Sequence, residues 1–441
     1  MMDVKDEEAA GGGGCRRKRP RLQLHGEATR GRAAYLLPHE IVTEILLRLP
    51  VKSLLRFRSV CKAWRTTISD DPSFVRAHLQ HQRQRPPTLL VLPWARQDGG
   101  GSGSSSSRRI ALYSWAPGAG GGGGGAIASL LHAADMHCAA PRDLLAHCDG
   151  LVLVPTRDAA HLFNPAARQV VTLPWSPAGV APRLLAPAEH QAFGLGHDPR
   201  SGAYKVARFF YRELYVLAAR RYGLTTGMEV FTVGADRHWR EIAAQPPLPA
   251  MVPRAAAFVM GSLFWIVDER MRLPEAVAAP PGFLRLSLED ETFGVTPAPP
   301  CRPTRDWGGC SLSELRGELC VTRMERTTRV LELWMTKQVH AAHPRWEQRY
   351  AIYAAGGIPE QPRPVALCHD GIVFHHGSDS VLGYDFRTQG YNKVADLSKL
   401  RYQDDDDDDP ATASTAPVEL EPRFSRFFVV PYRESLVQIH H

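Results

Sequence analysis

The sequence predicts an α+β chain of two folded parts, a small all-α bundle followed by an all-β propeller of about six blades. Three observations predict it. Between Ile41 and Leu49 the apolar residues recur at helical spacing and stop at Pro50, which is an amphipathic helix with a breaker at its end. From about residue 86 that period fades, and short apolar runs rich in β-branched and aromatic residues appear between Gly and Pro turns, the pattern of a sandwich, barrel or propeller. Within that second part a turn glycine or its equivalent precedes an apolar strand at Gly150, Gly202, Gly261, Gly317 and Gly371, at intervals of 52, 59, 56 and 54 residues. A recurrence of that length favours a blade repeat over an irregular pair of β-sandwiches, which is the other architecture the pattern allows.

Residues 1–34 have almost no apolar periodicity and include the run Gly11 to Gly14. Such a segment cannot bury enough surface to offset its ordering entropy, and it is expected to be a disordered basic tail. Within it, Arg16, Arg17, Lys18, Arg19 and Arg21 form a nuclear-import-type cluster, which is equally readable as solvated charge. The chain carries 53 basic and 46 acidic residues, a net charge of +7. Residues 1–34 hold +3 of it, residues 35–80 another +3, and the remaining 361 residues only +1. A basic excess confined to the first fifth gives the body of the protein no nucleic-acid footprint.

Residues 35–80 change character abruptly. Ile41, Ile45, Leu46 and Leu49 make the apolar face of the first helix. A second is expected with Ser53 as its N-cap and Leu54, Leu55 and Phe57 as its apolar residues, and a third through Val60, Cys61, Trp64 and Ile68 to the break at Asp70-Asp71-Pro72. A fourth is expected from about Ser73, with Phe74, Val75 and Leu79. Ile45, Leu54 and Phe57 are assigned to the module's own core. Modules near 40 residues usually need a metal, a disulfide or a partner. There is no metal motif here, so a partner is expected.

These residues resemble an F-box. Leu37-Pro38, Ile41, Ile45-Leu46, Arg48-Leu49-Pro50-Val51-Lys52-Ser53-Leu54, Phe57-Arg58, Val60-Cys61-Lys62 and Trp64-Arg65 fill its diagnostic positions, and Asp70-Asp71-Pro72, Phe74 and His78-Leu79 extend the match. The resemblance implies docking on a Skp-type adaptor, and through it on a cullin. It places the adaptor contacts at Leu37, Pro38, Ile41, Leu49, Val51, Leu55, Val60, Cys61 and Trp64.

A second recurrence runs in the frame of the glycines: a strand, a polar turn, and another strand. It is seen at His161-Leu162-Phe163 with Val170-Val171-Thr172, at Val230-Phe231-Thr232 with Trp239-Arg240-Glu241, and at Leu284-Arg285-Leu286 with Phe293-Gly294-Val295. Leu331-Glu332-Leu333 with Trp346-Glu347-Gln348, and Leu382-Gly383-Tyr384 with Asn392-Lys393-Val394, continue it. Five units with strands left over at both ends predict a sixth blade, closed by pairing residues 88–115 with a strand near Arg426 to Ile439. Closure removes the edges that would template aggregation. The period is close to the roughly 50 residues of a kelch blade. Cys148-Asp149-Gly150-Leu151, Phe163-Asn164-Pro165, Phe193 to Asp198, Tyr204-Lys205-Val206, Glu229-Val230-Phe231 and Trp239-Arg240 resemble the F-box-associated domain of plant F-box proteins, over roughly residues 86–440. Asp98 to Ser107, Gly120 to Gly125 and Asp404 to Asp409 depart from it and are expected to be solvated loops.

Pro and Gly together make up 35 plus 37 of 441 residues, well short of the roughly 25–30% that marks low complexity. No run approaches a membrane helix and no basic-then-apolar leader opens the chain, so a soluble, non-secreted protein in the nucleus and/or cytoplasm is expected, with no membrane or nucleic-acid partner. The eight scattered cysteines form no C-x-x-C pair, which fits reduced thiols. His137-Cys138 and His147-Cys148 are the nearest approach to a metal set. Neighbours on a strand point to opposite faces, so the two pairs do not converge on one ion, and no metal and no cofactor is expected. Neither H-E-x-x-H, nor a P-loop, nor G-x-S-x-G occurs, and G-x-G-x-x-G occurs only within the glycine run. Most of the tryptophans are expected in blade cores.

The two resemblances together imply a non-catalytic substrate-recognition subunit of a Skp-cullin-F-box ubiquitin ligase. The F-box would hold the adaptor, and the propeller would hold a target protein whose contact residues the sequence leaves unassigned. A kelch-type enzyme and a nuclear scaffold acting without a cullin are the alternatives.

Overall fold

The computed structural model describes residues 37–95, 107–117, 127–137, 145–156, 159–176, 190–217, 221–271, 282–301, 309–325, 327–353, 362–377, 379–403 and 424–439. The Arg16–Arg21 cluster, the glycine run, the acidic run, nearly all of the Gly/Ser insert, Cys138 and Trp307 lie outside the described residues.

Four helices come first: α1 (His39–Leu47), α2 (Val51–Phe57), α3 (Lys62–Asp70) and α4 (Pro72–Arg83). Asp71 caps α4 by accepting the Ser73 N–H at 2.8 Å, with Pro72 in the first turn where its missing N–H is harmless. Cys61 stands at the N-cap of α3, its sulfur accepting the Trp64 N–H at 3.5 Å, so Val60 and Cys61 precede that helix instead of lying in it. The expected cap of α2 is wrong. The helix begins at Val51, ahead of Ser53, and Pro50 at its N-cap supplies no side-chain bond. The orphan Val51 N–H donates instead to the Glu434 carboxylate at 2.7 Å, from the other end of the chain.

Leu46, Val51, Leu54, Ile68, Phe74 and Leu79 are the buried apolar residues of the helices. Of the three assigned to this core from sequence, only Leu54 is fully buried. Phe57 is half-buried and Ile45 is 47% exposed. An apolar stripe at helical spacing is wider than the strip that packing covers, so its margin stays in solvent.

The strands form six sheets. The first is opened by β1 (Thr88–Ala95), β2 (Ser107–Trp115) and β3 (Ile127–His137). The second holds β4 (Ala146–Cys148), β5 (Leu151–Pro155), β6 (Ala160–Asn164) and β7 (Gln169–Thr172), and the third β8 (Gln191–His197), β9 (Tyr204–Leu217), β10 (Arg221–Thr232) and β11 (Arg240–Glu241). The fourth holds β12 (Ala257–Val259), β13 (Ser262–Ile266), β14 (Gly282–Ser287) and β15 (Phe293–Pro297). The fifth holds β16 (Cys310–Leu315), β17 (Glu318–Glu325), β18 (Val330–Thr336) and β19 (Glu347–Tyr353), and the sixth β20 (Arg363–Leu367), β21 (Gly371–His376), β22 (Ser380–Asp385) and β23 (Gly390–Asp396). Two late strands, β24 (Arg401–Gln403) and β25 (Phe424–Tyr432), return to the first sheet. β25 pairs antiparallel with β1 from Thr88↔Tyr432 to Ala95↔Phe424, the closure that the leftover strands predicted. The parallel pairing of β24 with β3 was not foreseen.

The core lies between blades. Each apolar cluster draws on two consecutive sheets: Leu90 and Phe428 of the first meet Val152 and Phe163 of the second, and so on to Val365 and Val373 of the sixth, which meet Leu89 and Val429 of the first. The ring therefore closes in its core as well as in its backbone ladder. Trp94, Trp115, Trp265 and Trp346 are buried in these clusters, while Trp175 is 77% exposed.

The recurring glycines have one main cause. Asp149-Gly150, Met260-Gly261 and Arg316-Gly317 have both central residues at positive φ, the backbone of tight hairpins whose twist matches that of the strands. Gly202, between β8 and β9, is at positive φ without such a partner, and Gly371 differs altogether. It lies inside β21, where an added Cβ would collide with the Tyr384 carbonyl oxygen.

Candidate functional site

The helices present the candidate docking surface. In the part of the chain ending at Glu44, Leu37 is 58% exposed, Ile41 is 48% exposed and Pro38 is exposed. From Ile45 onward, Val60 is 59% exposed, Ile45 and Cys61 are exposed, and Leu49, Leu55 and Trp64 are half-buried. Isolated exposed apolar residues are ordinary, but several within so short a stretch of sequence make it a candidate interaction segment. Trp64 rests on Phe57, ring centroids 5.4 Å apart, which holds the indole in place. Of the predicted contacts, Val51 does not fit: its side chain is completely buried and unavailable to a partner, and its backbone is occupied by Glu434. Ile45, assigned to the core from sequence, takes its place among the exposed side chains.

The docking helices are anchored to the ring. Arg83 at the end of α4 pairs with Asp149 in the β4–β5 turn at 2.6 Å, and Asp149 also accepts the Tyr204 hydroxyl at 3.2 Å. Glu434, just past β25, holds the start of α2. Both anchors lie on the face of the ring where β4 ends, since Arg433 and Ser435 flank Glu434 and lie against Gly150, and this is the face that α2 and α4 meet.

Titratable groups inside the ring are set by burial. Desolvation raises the Cys320 thiol to about 12 and pushes Cys148 well above its usual value, the state of inert buried thiols. Arg208 and Glu229 form a buried ion pair at 2.7 Å, completed by Ser176 on Glu229 and Gln191 on Arg208. No group of three or more His, Cys, Asp or Glu suited to a metal is found among the described residues. Cys148 is buried on β4 next to His147, and Cys138 lies outside the described residues.

His375 on β21 has its basicity lowered to about 3, first by burial, then by Arg363 opposite it on β20, then by His376. A base whose folded value lies below the ordinary 6.5 stabilises the fold fully above about pH 6.5, and that stability is lost as pH falls toward 3. At pH 5 the loss is about 2 kcal/mol. His375→Asn is expected to lose about that much less stability than the unaltered chain between pH 7 and pH 5, measured by urea unfolding. Equal losses would show that His375 does not set the acid response.

A short helical segment with exposed apolar side chains followed by a closed six-bladed ring is the architecture of a two-module protein. Comparison with known proteins agrees. An F-box domain model matches residues 35–76 and an F-box associated beta propeller domain model matches residues 129–439. The chain belongs to the F-box associated beta-propeller family and falls in the F-box class of substrate adaptors. Among its Arabidopsis thaliana relatives, the F-box/kelch-repeat protein At3g44120 is 24% identical, covering 72% of this chain and 76% of its own length. F-box protein At2g07140 is 25% identical, over 72% and 76%, and F-box/LRR-repeat protein At2g43260 is 28% identical, over 72% and 67%. No helix among the described residues is long and apolar enough to cross a membrane.

Proposed function

We propose that this chain is the substrate-recognition subunit of a Skp-cullin-F-box ubiquitin ligase, and that it marks its target for proteasomal degradation. The observation that carries the reading is the set of exposed or half-exposed apolar side chains in the F-box segment, Leu37 and Ile41 before residue 45 and Val60 and Trp64 after it. Covering each large side chain is worth up to roughly 1.5–3 kcal/mol, so a handful is of the same order as the roughly 4–15 kcal/mol that association costs. The role is positional. The helices hold the adaptor, the propeller holds the target, and transfer of ubiquitin occurs on another subunit. Tethering makes that transfer effectively intramolecular. In this reading none of the chain's own side chains performs covalent chemistry.

The test is recovery of adaptor and cullin on the purified chain, together with accumulation of a bound target when the proteasome is inhibited. Adaptor without cullin, and no target stabilised, would instead assign a cullin-independent scaffold. Arg16, Arg17, Lys18, Arg19 and Arg21 are proposed as a nuclear-import signal. Deleting residues 16–21 is expected to shift a fluorescent fusion from nucleus to cytoplasm; an unchanged distribution assigns the cluster to solvated charge.

A further inference from the structure

A cavity of about 220 Å³ opens between the fourth, fifth and sixth blades. Its wall takes Arg254 and Ile266 from the fourth blade and its lead-in, Ser311, Thr322, Met324 and Leu331 from the fifth, and Arg363 from the sixth. Ser311 and Arg363 stand near the beginnings of β16 and β20, whereas Asp149 lies where β4 ends. The turns after β4 and β8 meet through Asp149 and Tyr204, those after β8 and β12 through Pro199 and Gly261, and those after β16 and β20 through Arg316 and Cys368, while Arg254 ahead of β12 meets Cys310 at the start of β16. These five strands therefore run the same way, and the cavity is on the face opposite the turn where Asp149 holds Arg83 of α4.

Three properties define what the cavity accepts. Two of its lining side chains are arginines and none is a carboxylate, so the described wall carries two positive charges in a partly desolvated place where Coulomb interactions are strong. Arg254 is held in position by donating to the Cys310 carbonyl at 2.7 Å, and Arg363 also has a partner. The Ser311 hydroxyl is buried and has no hydrogen-bond partner among the described residues, although buried hydroxyls are ordinarily satisfied. Two arginines and a serine with an unsatisfied hydroxyl lining one cavity supply the donor types that carboxylate or phosphate oxygens accept from. The volume is below the roughly 300–1,000 Å³ of small-molecule sites, and suits one side chain.

We propose that this cavity seats an anionic side chain of the target, a carboxylate or a phosphate carried on an extended segment lying across that face of the ring. The inference rests on the propeller being the target-holding module, and it names the chemistry that module reads. Arg254 and Arg363 supply the charge, and Ser311 donates the hydroxyl proton to an anion oxygen.

The experiment uses the full chain bound to its Skp-type adaptor, titrated by calorimetry at constant ionic strength. The probes are inorganic phosphate, doubly blocked phosphoserine and doubly blocked glutamate. Saturable binding of at least one blocked amino acid is expected, weakened about tenfold or more by Arg363→Gln and less by Ser311→Ala, and abolished by Ser311→Asp, which places an anion in the seat from within. Tighter binding of phosphoserine marks a phosphorylated target, and comparable binding of glutamate an acidic one. Binding of inorganic phosphate without either blocked amino acid would overturn the side-chain assignment, as would equal affinities across all variants or no binding at all. Should Arg363→Gln fail to fold, the two Ser311 variants decide. Adaptor recovery is read in parallel: an intact adaptor complex without anion binding sinks the cavity, while anion binding without an adaptor complex sinks the ligase reading and leaves the cavity standing.

Discussion

A chain ending at residue 423 is expected to lose the whole propeller, not one strand of it. The deletion removes β25, and with it Phe427, Phe428, Val429, Val430 and Tyr432, all of them buried. These five side chains belong to two clusters, the one joining the sixth blade to the first and the one joining the first to the second. At roughly 1.5–3 kcal/mol each their burial contributes on the order of 10 kcal/mol, as much as the net stability of a typical domain. The deletion also strips β1 of its ladder from Thr88 to Ala95, leaving an open apolar edge of the kind that aggregates. It leaves Asn164, completely buried, without the Ser435 and Val437 carbonyls that accept its amide at 3.1 and 2.7 Å. The measurement is the soluble fraction and the cooperativity of thermal unfolding. A soluble 1–423 chain melting within a few degrees of the full chain would refute closure as the source of stability.

The second large effect is at the docking helices. Leu37→Ala with Trp64→Ala is expected to abolish co-purification with the adaptor while thermal unfolding of the propeller stays unchanged. Each truncation removes about 1.5–3 kcal/mol of interface burial, and the pair together about 3–6, which is roughly 10²- to 10⁴-fold in affinity if the two sites act independently. Leu54→Ala is the control. Leu54 is completely buried, so its truncation should lower the melting temperature of the helical module by opening a cavity, not by removing a contact. Adaptor binding that survives the double substitution would show that the partner uses another surface.

Much of this architecture was legible in the sequence because it rests on local spacing. The helices announce themselves by apolar period and by Pro50 and Pro72, and the hairpins by turn pairs such as Asp149-Gly150 that need positive φ. What could not be read depends on distant parts of the chain. Val51 fits the adaptor-contacting pattern as well as Leu49 does, yet it is buried and its helix is capped from Glu434, which no window around residue 51 contains. Ile45 and Leu46 are both apolar, and packing alone decides that Leu46 is the one covered. β24 has only Arg401, Tyr402 and Gln403, too few for any periodicity. The arginine-lined cavity is hidden for the same reason: Arg254, Ser311 and Arg363 come from separate blades, and no motif spans them.

The contact from Glu434 to the start of α2 ties the cap of an early helix to the strand that closes the ring. The helices precede the ring in sequence, but the link that holds the start of α2 is made by a residue that follows β25. A prematurely terminated polypeptide could expose its docking helices while lacking both that link and the strand that closes the ring. A cut anywhere ahead of Glu434 therefore reaches the front of the molecule, because it removes the carboxylate that satisfies the first N–H of α2.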